Sequence, residues 1–217
     1  MAIESTATPS APYPVRLNID YPDRQLNRMS SFFRIIVVIP IWIIFALING
    51  GTFSGWNDNG ANSFSTLSTA GWGIFAALAF LILFRQKYPR WLFDWNVAIY
   101  RLSYRIYSYA LLMRDEYPST DEEQAVHLEI DYPDAKELNR WLPFIKWLLA
   151  IPHWIVLIFL TLIGIILVIV AWFAILFIGR YPRGIFNYML GVNRWSARVV
   201  GYALLMVTDK YPPFSLD

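Results

Sequence analysis

Four arginines have the spacing best suited to chemistry. In the stretch Tyr88–Met113, Asp94, Arg101, Arg105 and Ser108 follow one another at seven, four and three residues, which aligns them on one stripe of a helix. The stretch Tyr181–Met206 carries the same stripe as Asn187, Arg194, Arg198 and Gly201. A guanidinium is a flat fork of N–H donors that matches two oxygens of a phosphate at once. With Arg90 and Arg183, which open the two stretches, Arg101, Arg105, Arg194 and Arg198 are therefore expected to meet lipid headgroups. The structural alternative is that they snorkel, or pair with Asp94 and other carboxylates, to hold the helices down.

The other reactive side chains offer less. His127 and His153 are the two histidines; His153 has no carboxylate at i+3 or i+4 and reads as structural. His127 falls on the polar face of a short strand, where it is expected to pair across the strand. Seven of the 13 tyrosines precede a proline, a dipeptide that is held extended and marks segment boundaries. The absence of cysteine excludes disulfides, thiol nucleophiles and thiolate metal sites. No phosphate-binding glycine loop, serine elbow or metal-ligand cluster is present in the sequence, so no catalytic residue, metal or cofactor is assigned. Apart from Arg34 and Lys146 near segment ends, the apolar segments hold no charged residue, which argues against an ion-coupled carrier.

Composition places these residues in a membrane. Of the 217 residues 57% are hydrophobic and 16% charged, against about 25% charged in soluble domains, and the mean hydropathy is +0.41. A net charge of +2 is too small to suggest nucleic acid as a partner. Residues 1–12 are polar, without the apolar run of a cleavable signal, and read as a disordered tail.

The elements that would position the arginines occur twice. Twelve of the 26 aligned positions of Tyr88–Met113 and Tyr181–Met206 are identical, from Tyr-Pro-Arg to the closing Tyr-Ala-Leu-Leu-Met. Each stretch is expected to be an amphipathic helix in the headgroup layer, because two central arginines would cost about 2.5–3.5 kcal/mol each at the centre of a span. Ahead of them, Val15–Asp20 and Val126–Asp131 alternate apolar and polar residues as short strands do. A two-fold could pair these strands antiparallel, with Asn18 opposite Glu129, Arg16 opposite Asp131 and Asp20 opposite His127. The chain then divides into the tail 1–12, a first repeat 13–118, an acidic linker 119–124 and a second repeat 125–217.

Between strand and amphipathic helix each repeat holds apolar sequence. In the first, Phe33–Ile48 and Trp72–Phe84 flank a polar loop, Asn49–Gly71. In the second, Leu148–Ile178 runs for 31 residues, about 46 Å as one helix against a hydrocarbon core of about 30 Å. Alignment with the first repeat places a tight turn near Thr161–Gly164. All 18 Lys and Arg residues lie outside these two turns, so paired hairpins put every basic residue on one side. The expected fold is thus mainly α and integral to the membrane: two repeats of strand, membrane hairpin and interfacial helix, four membrane segments, and both termini cytoplasmic.

The sequence Gly179–Arg183, then Arg-Trp-Ser-x-Arg at Arg194–Arg198, then Thr-Asp-Lys-Tyr-Pro-Pro-Phe-Ser-Leu at Thr208–Leu216, resembles the bacterial membrane family known as domain of unknown function 4389. The first half looks like a diverged second copy. The resemblance implies a multi-pass protein of the bacterial plasma membrane and carries no activity with it. The function expected is a non-catalytic scaffold or accessory subunit that organises a membrane complex or lipid interface. Its expected partners are anionic membrane lipids and other subunits or copies of itself. The alternative is a small channel or transporter built on the two-fold.

Overall fold

A computed structural model describes residues 13–22, 25–48, 69–120 and 122–217. The tail 1–12 and most of the polar loop of the first half lie outside these. The described chain is mainly helical, in the order β1 (Val15–Ile19), α1 (Arg28–Ile48), α2 (Thr69–Arg85), α3 (Arg90–Ala110), β2 (Val126–Ile130), α4 (Pro143–Leu149), α5 (Ile151–Ile178) and α6 (Arg183–Ala203).

The two amphipathic stretches form α3 and α6. Each starts just after a proline held extended, Pro89 and Pro182, whose fixed φ sets the turn into the helix. The strands pair antiparallel within the one chain and rest their alternate apolar side chains on these helices. Val15, Leu17, Ile19, Val126 and Leu128 are all buried there. The register differs from the expected one by two residues: Leu17 sits opposite Leu128, Arg16 opposite Glu129 and Asn18 opposite His127. A slip of two leaves the same side chains on each face, so alternation cannot tell the two registers apart. The observed one adds a main-chain hydrogen bond beyond each end of the ladder, from Asp20 N–H to the Ala125 carbonyl (3.0 Å) and from Asp131 N–H to the Pro14 carbonyl (2.9 Å). The charge pairs survive as diagonals. Arg16 still reaches Asp131 at 2.8 Å, and His127 Nε2 lies 3.2 Å from Asp20.

Beneath the sheet, α1 packs on α3, α5 on α6, and the start of α1 on the end of α5. The expected turn at Thr161–Gly164 is not there. α5 is one unbroken helix of 28 residues, about 42 Å long. Gly164 lies inside it as a point of close approach, where an added Cβ would sit 3.1 Å from the Met189 sulfur. No proline or polar run interrupts Thr161–Gly164, so nothing opposes continuation of the helix. The break falls earlier, at Ala150 between α4 and α5, where Pro152 removes a helical donor. α5 ends at Gly179, left-handed with φ 77°, whose N–H caps the Ile175 carbonyl at 2.8 Å. Among the described residues two helices are long and apolar enough to cross a membrane, over Arg28–Ala46 and Ile151–Ile178, and α2 adds a shorter apolar piece, Ala76–Arg85. The four expected membrane segments therefore reduce to two candidates.

Candidate functional site

The arginine stripes of α3 and α6 face the sheet. Arg194 donates through Nε to the Leu17 carbonyl and through a terminal nitrogen to Asn18 Oδ1, both at 3.0 Å. Arg101, at the matching place on α3, donates to the Leu128 carbonyl at 3.3 Å. One turn on, Arg198 donates to the Ser215 carbonyl, and Arg105 to the Ser119 carbonyl at 2.6 Å. These two hold down the segments that follow their helices. Burial lowers the pKa of both, with repulsion from Arg194 and Arg101 as a smaller cause, and the Nε of each is buried without a partner. None of the four meets Asp94, which is exposed. The role that spacing suggested for carboxylates is taken by main-chain carbonyls.

Arg90 and Arg183 stand apart from the sheet. Both are exposed, each lies over a tyrosine ring from the other half of the chain, and among the described residues neither is paired with a carboxylate. Arg90 is 5.0 Å from the centre of the Tyr132 ring, and Arg183 is 4.9 Å from that of Tyr21. The same tyrosines donate hydroxyls to the carbonyls of Tyr88 and Tyr181, which places each Tyr-Pro after a strand against the Tyr-Pro-Arg of the opposite half. Around Arg90 and Arg183 lie further exposed cations, Arg85, Lys87 and Arg180, and exposed rings, Phe84, Trp91 and Phe177.

A cleft of about 440 Å³ opens beside the sheet, lined by Arg16, His127, Glu129, Arg194, Arg198 and Asp217 among others. Its charges of opposite sign balance closely. Among the described residues no group of three metal-ligating side chains occurs. His153 is fully buried, its Nδ1 accepting from the Trp195 indole at 3.0 Å, with the Phe214 ring stacked on it at 3.9 Å. It packs the C-terminal segment onto α5.

Two buried ion pairs escaped the sequence reading. Arg34, 2% exposed, pairs with Asp115 and also donates to the carbonyls of Tyr109 (3.0 Å) and Arg114 and to Ser30 Oγ (3.3 Å). Lys146, with no exposed surface, lies 2.7 Å from Asp209 and donates to the Thr208 carbonyl at 2.7 Å. Burial lowers the pKa of Lys146, and Asp209 opposes the shift. Each aspartate also accepts the N–H of an asparagine that leads into the apolar sequence of its own half, Asn27 and Asn139, both at 2.7 Å. One signal was available in the sequence: Arg34 follows Asn27, and Lys146 follows Asn139, by the same seven residues.

No curated protein and no solved structure matches the chain. A match to a family is found in the second half alone, so the second copy expected in the first half is not found by it. Residues 140–215, from the arginine ahead of α4 to the C-terminal segment over His153, match the family described as Domain of unknown function (DUF4389).

Proposed function

We propose that the chain is a non-catalytic membrane scaffold or accessory subunit of the bacterial plasma membrane, built on a two-fold repeat, with its sheet and both termini on the cytoplasmic side. The observation that carries this reading is how the arginines are used. Arg101, Arg105, Arg194 and Arg198 are occupied by main-chain carbonyls of the chain itself. That use stiffens a surface and leaves no reactive group. Of the six arginines expected at headgroups, Arg90 and Arg183 keep that role. They are exposed, have no carboxylate partner among the described residues and stand among exposed aromatic rings, the composition of a membrane interface.

Flotation with vesicles tests this. The protein is expected to prefer vesicles of phosphatidylcholine with phosphatidylglycerol over phosphatidylcholine alone. Replacing Arg90 and Arg183 by Gln together should remove about thirtyfold of that preference, from about 1 kcal/mol for each basic residue near an anionic surface. Replacing Arg101 and Arg194 by Gln should lower stability and leave the preference in place. An unchanged preference in the Arg90/Arg183 variant would refute the headgroup assignment.

A further inference from the structure

We infer that α5 lies along the membrane, sunk into one leaflet under α6, and does not cross the bilayer although it is long enough to do so. The inference rests on the membrane reading above and adds the direction of the helix.

The direction follows from three elements that share one axis. α5 and α6 run antiparallel and are tied at both ends. Ala150, just before α5, packs in a buried cluster with Val199, Tyr202 and Ala203 at the end of α6. His153 meets Trp195, the Tyr188 hydroxyl donates to the Leu160 carbonyl at 2.8 Å, and Gly164 touches Met189. At the far end only Gly179–Pro182 separates the two helices. Helices of about 42 and 31 Å joined this way cannot diverge far in direction. β1 then runs antiparallel along α6: Val15 lies against Gly201, Leu17 accepts from Arg194, and Tyr21 meets Phe186 with ring centres 5.1 Å apart.

A perpendicular α5 would therefore carry α6 and the sheet through the same depth. Arg194 and Arg198 would enter the hydrocarbon, and so would the exposed polar face of the sheet, with Arg16, Glu129 and Asp131. Charged groups at that depth have no water to solvate them. Laid flat, the same assembly keeps every one of these charges on the water side. The ends of α5 agree with this. Lys146 and Asp209 pair near its start, Arg28 donates to the Phe177 carbonyl near its end, and both polar sites belong to the layer that carries the sheet. On α5 the stripe Ile155, Phe159, Leu162, Ile166, Ile169, Phe173 and Phe177 recurs at three and four residues and is exposed along its whole length. A stripe of such length, all apolar and beneath a polar layer, fits the acyl chains of a single leaflet of a phospholipid bilayer.

The chain has no cysteine, so introduced ones report alone. With Glu137→Cys and Arg180→Cys in one protein, bound to sealed phosphatidylcholine–phosphatidylglycerol vesicles and treated with an impermeant maleimide, every molecule should take two labels. One label per molecule, seen by mass spectrometry, would place the ends of α4–α5 on opposite faces and overturn the inference. Single variants Ile155→Cys, Ile166→Cys and Phe177→Cys, carrying spin labels read against lipid-soluble and water-soluble relaxants, give a second measure. In a flat helix their depths agree, whereas in a spanning helix the middle label differs from the end ones by about 16 Å. If the unmodified protein does not float with vesicles at all, the membrane reading fails first and the inference with it.

Discussion

The two halves of the chain differ most where the sequence is most apolar and least where it is polar. In the first half the apolar sequence makes two helices, α1 and α2, with twenty intervening residues. In the second, α4 and α5 run on with only Ala150 between them. Yet the polar contacts match nearly one for one. An aspartate takes the N–H of Asn27 or Asn139, a buried cation meets that aspartate, and an arginine of α3 or α6 holds the strand of the opposite half. Apolar packing is non-directional and tolerates a change in connection, whereas a buried donor needs one acceptor at one place. The polar latches are thus the constraint that both halves keep, and the length and continuity of the apolar helices are what they are free to vary.

The ion pairs offer the strongest way to break this comparison. Asp209→Asn leaves Lys146 charged, buried and with one neutral acceptor, a loss of about 3–5 kcal/mol at neutral pH. Asp115→Asn should cost less, about 2 kcal/mol, because Arg34 keeps Tyr109, Arg114 and Ser30 as acceptors. The two variants should also differ in their response to pH. Burial holds the pKa of Lys146 below the ordinary 10.5, so between the folded and unfolded values the unfolded chain binds more protons and stability rises with pH. Asp209→Asn should therefore regain stability on going from neutrality towards about pH 10, where an unfolded lysine still holds its proton. Asp115→Asn should not, since a guanidinium keeps its proton there. Thermal unfolding in detergent across this range decides it; equal recovery in both variants would show that the recovery does not come from Lys146 losing its proton.

The next test falls at the strand seats. On α6 the residue under Val15 is Gly201, where a Cβ would lie 2.5 Å from a Val15 methyl, while the matching place on α3 already holds Ser108. Gly201→Ala should cost about 1–3 kcal/mol by forcing β1 off the helix. Ser108→Ala, which removes a hydroxyl bonded to the Tyr104 carbonyl of its own helix, should cost under about 1 kcal/mol. Comparable losses would mean that the two seats bear the sheet equally.

Much of this was legible beforehand, and the parts that were not share a cause. Helices α3 and α6 follow from spacing within short stretches, and the pairing that brings Arg16 to Asp131, 115 residues on, follows from an alternating strand pattern that the sequence repeats. Arg34 and Asp115 are 81 residues apart, and nothing local joins them. The arginine stripe was visible but its acceptors were not, because a main-chain carbonyl looks the same at every position. The continuity of α5 was misjudged for a related reason. Alignment carried a turn over from the first half, although Thr161–Gly164 has no residue that would stop a helix.

Within the stripes the halves can be separated more finely. Arg194 makes two bonds to β1 at 3.0 Å, and Arg101 makes one to β2 at 3.3 Å. Arg194→Gln should lose about 1–2 kcal/mol and Arg101→Gln about half of that, since both side chains remain partly solvated. Hydrogen exchange at the strand amides measures this directly: β1 should open more readily in the first variant. Faster exchange in the second would reverse the order of the two latches.

The smallest effect concerns the sheet that joins the two halves. At the centre of the sheet Leu17 faces Leu128, so every other pair joins unlike residues, and Arg16 faces Glu129 where its own counterpart, His127, faces Asn18. Arg16 has two carboxylates in reach, Glu129 at 3.2 Å directly across and Asp131 on the diagonal, gripped by both terminal nitrogens at 3.2 and 2.8 Å. All three side chains are well exposed, so each interaction is worth about 0.2–1 kcal/mol and salt screens it. The two-pronged contact should be the stronger, because it fixes the guanidinium plane at no further cost in side-chain freedom. Double-mutant cycles separate the two: Arg16→Ala with Asp131→Ala should show a larger coupling than Arg16→Ala with Glu129→Ala, and both should fade in high salt. A coupling to Glu129 that equals or exceeds the coupling to Asp131 would show that the two-pronged contact gives no advantage.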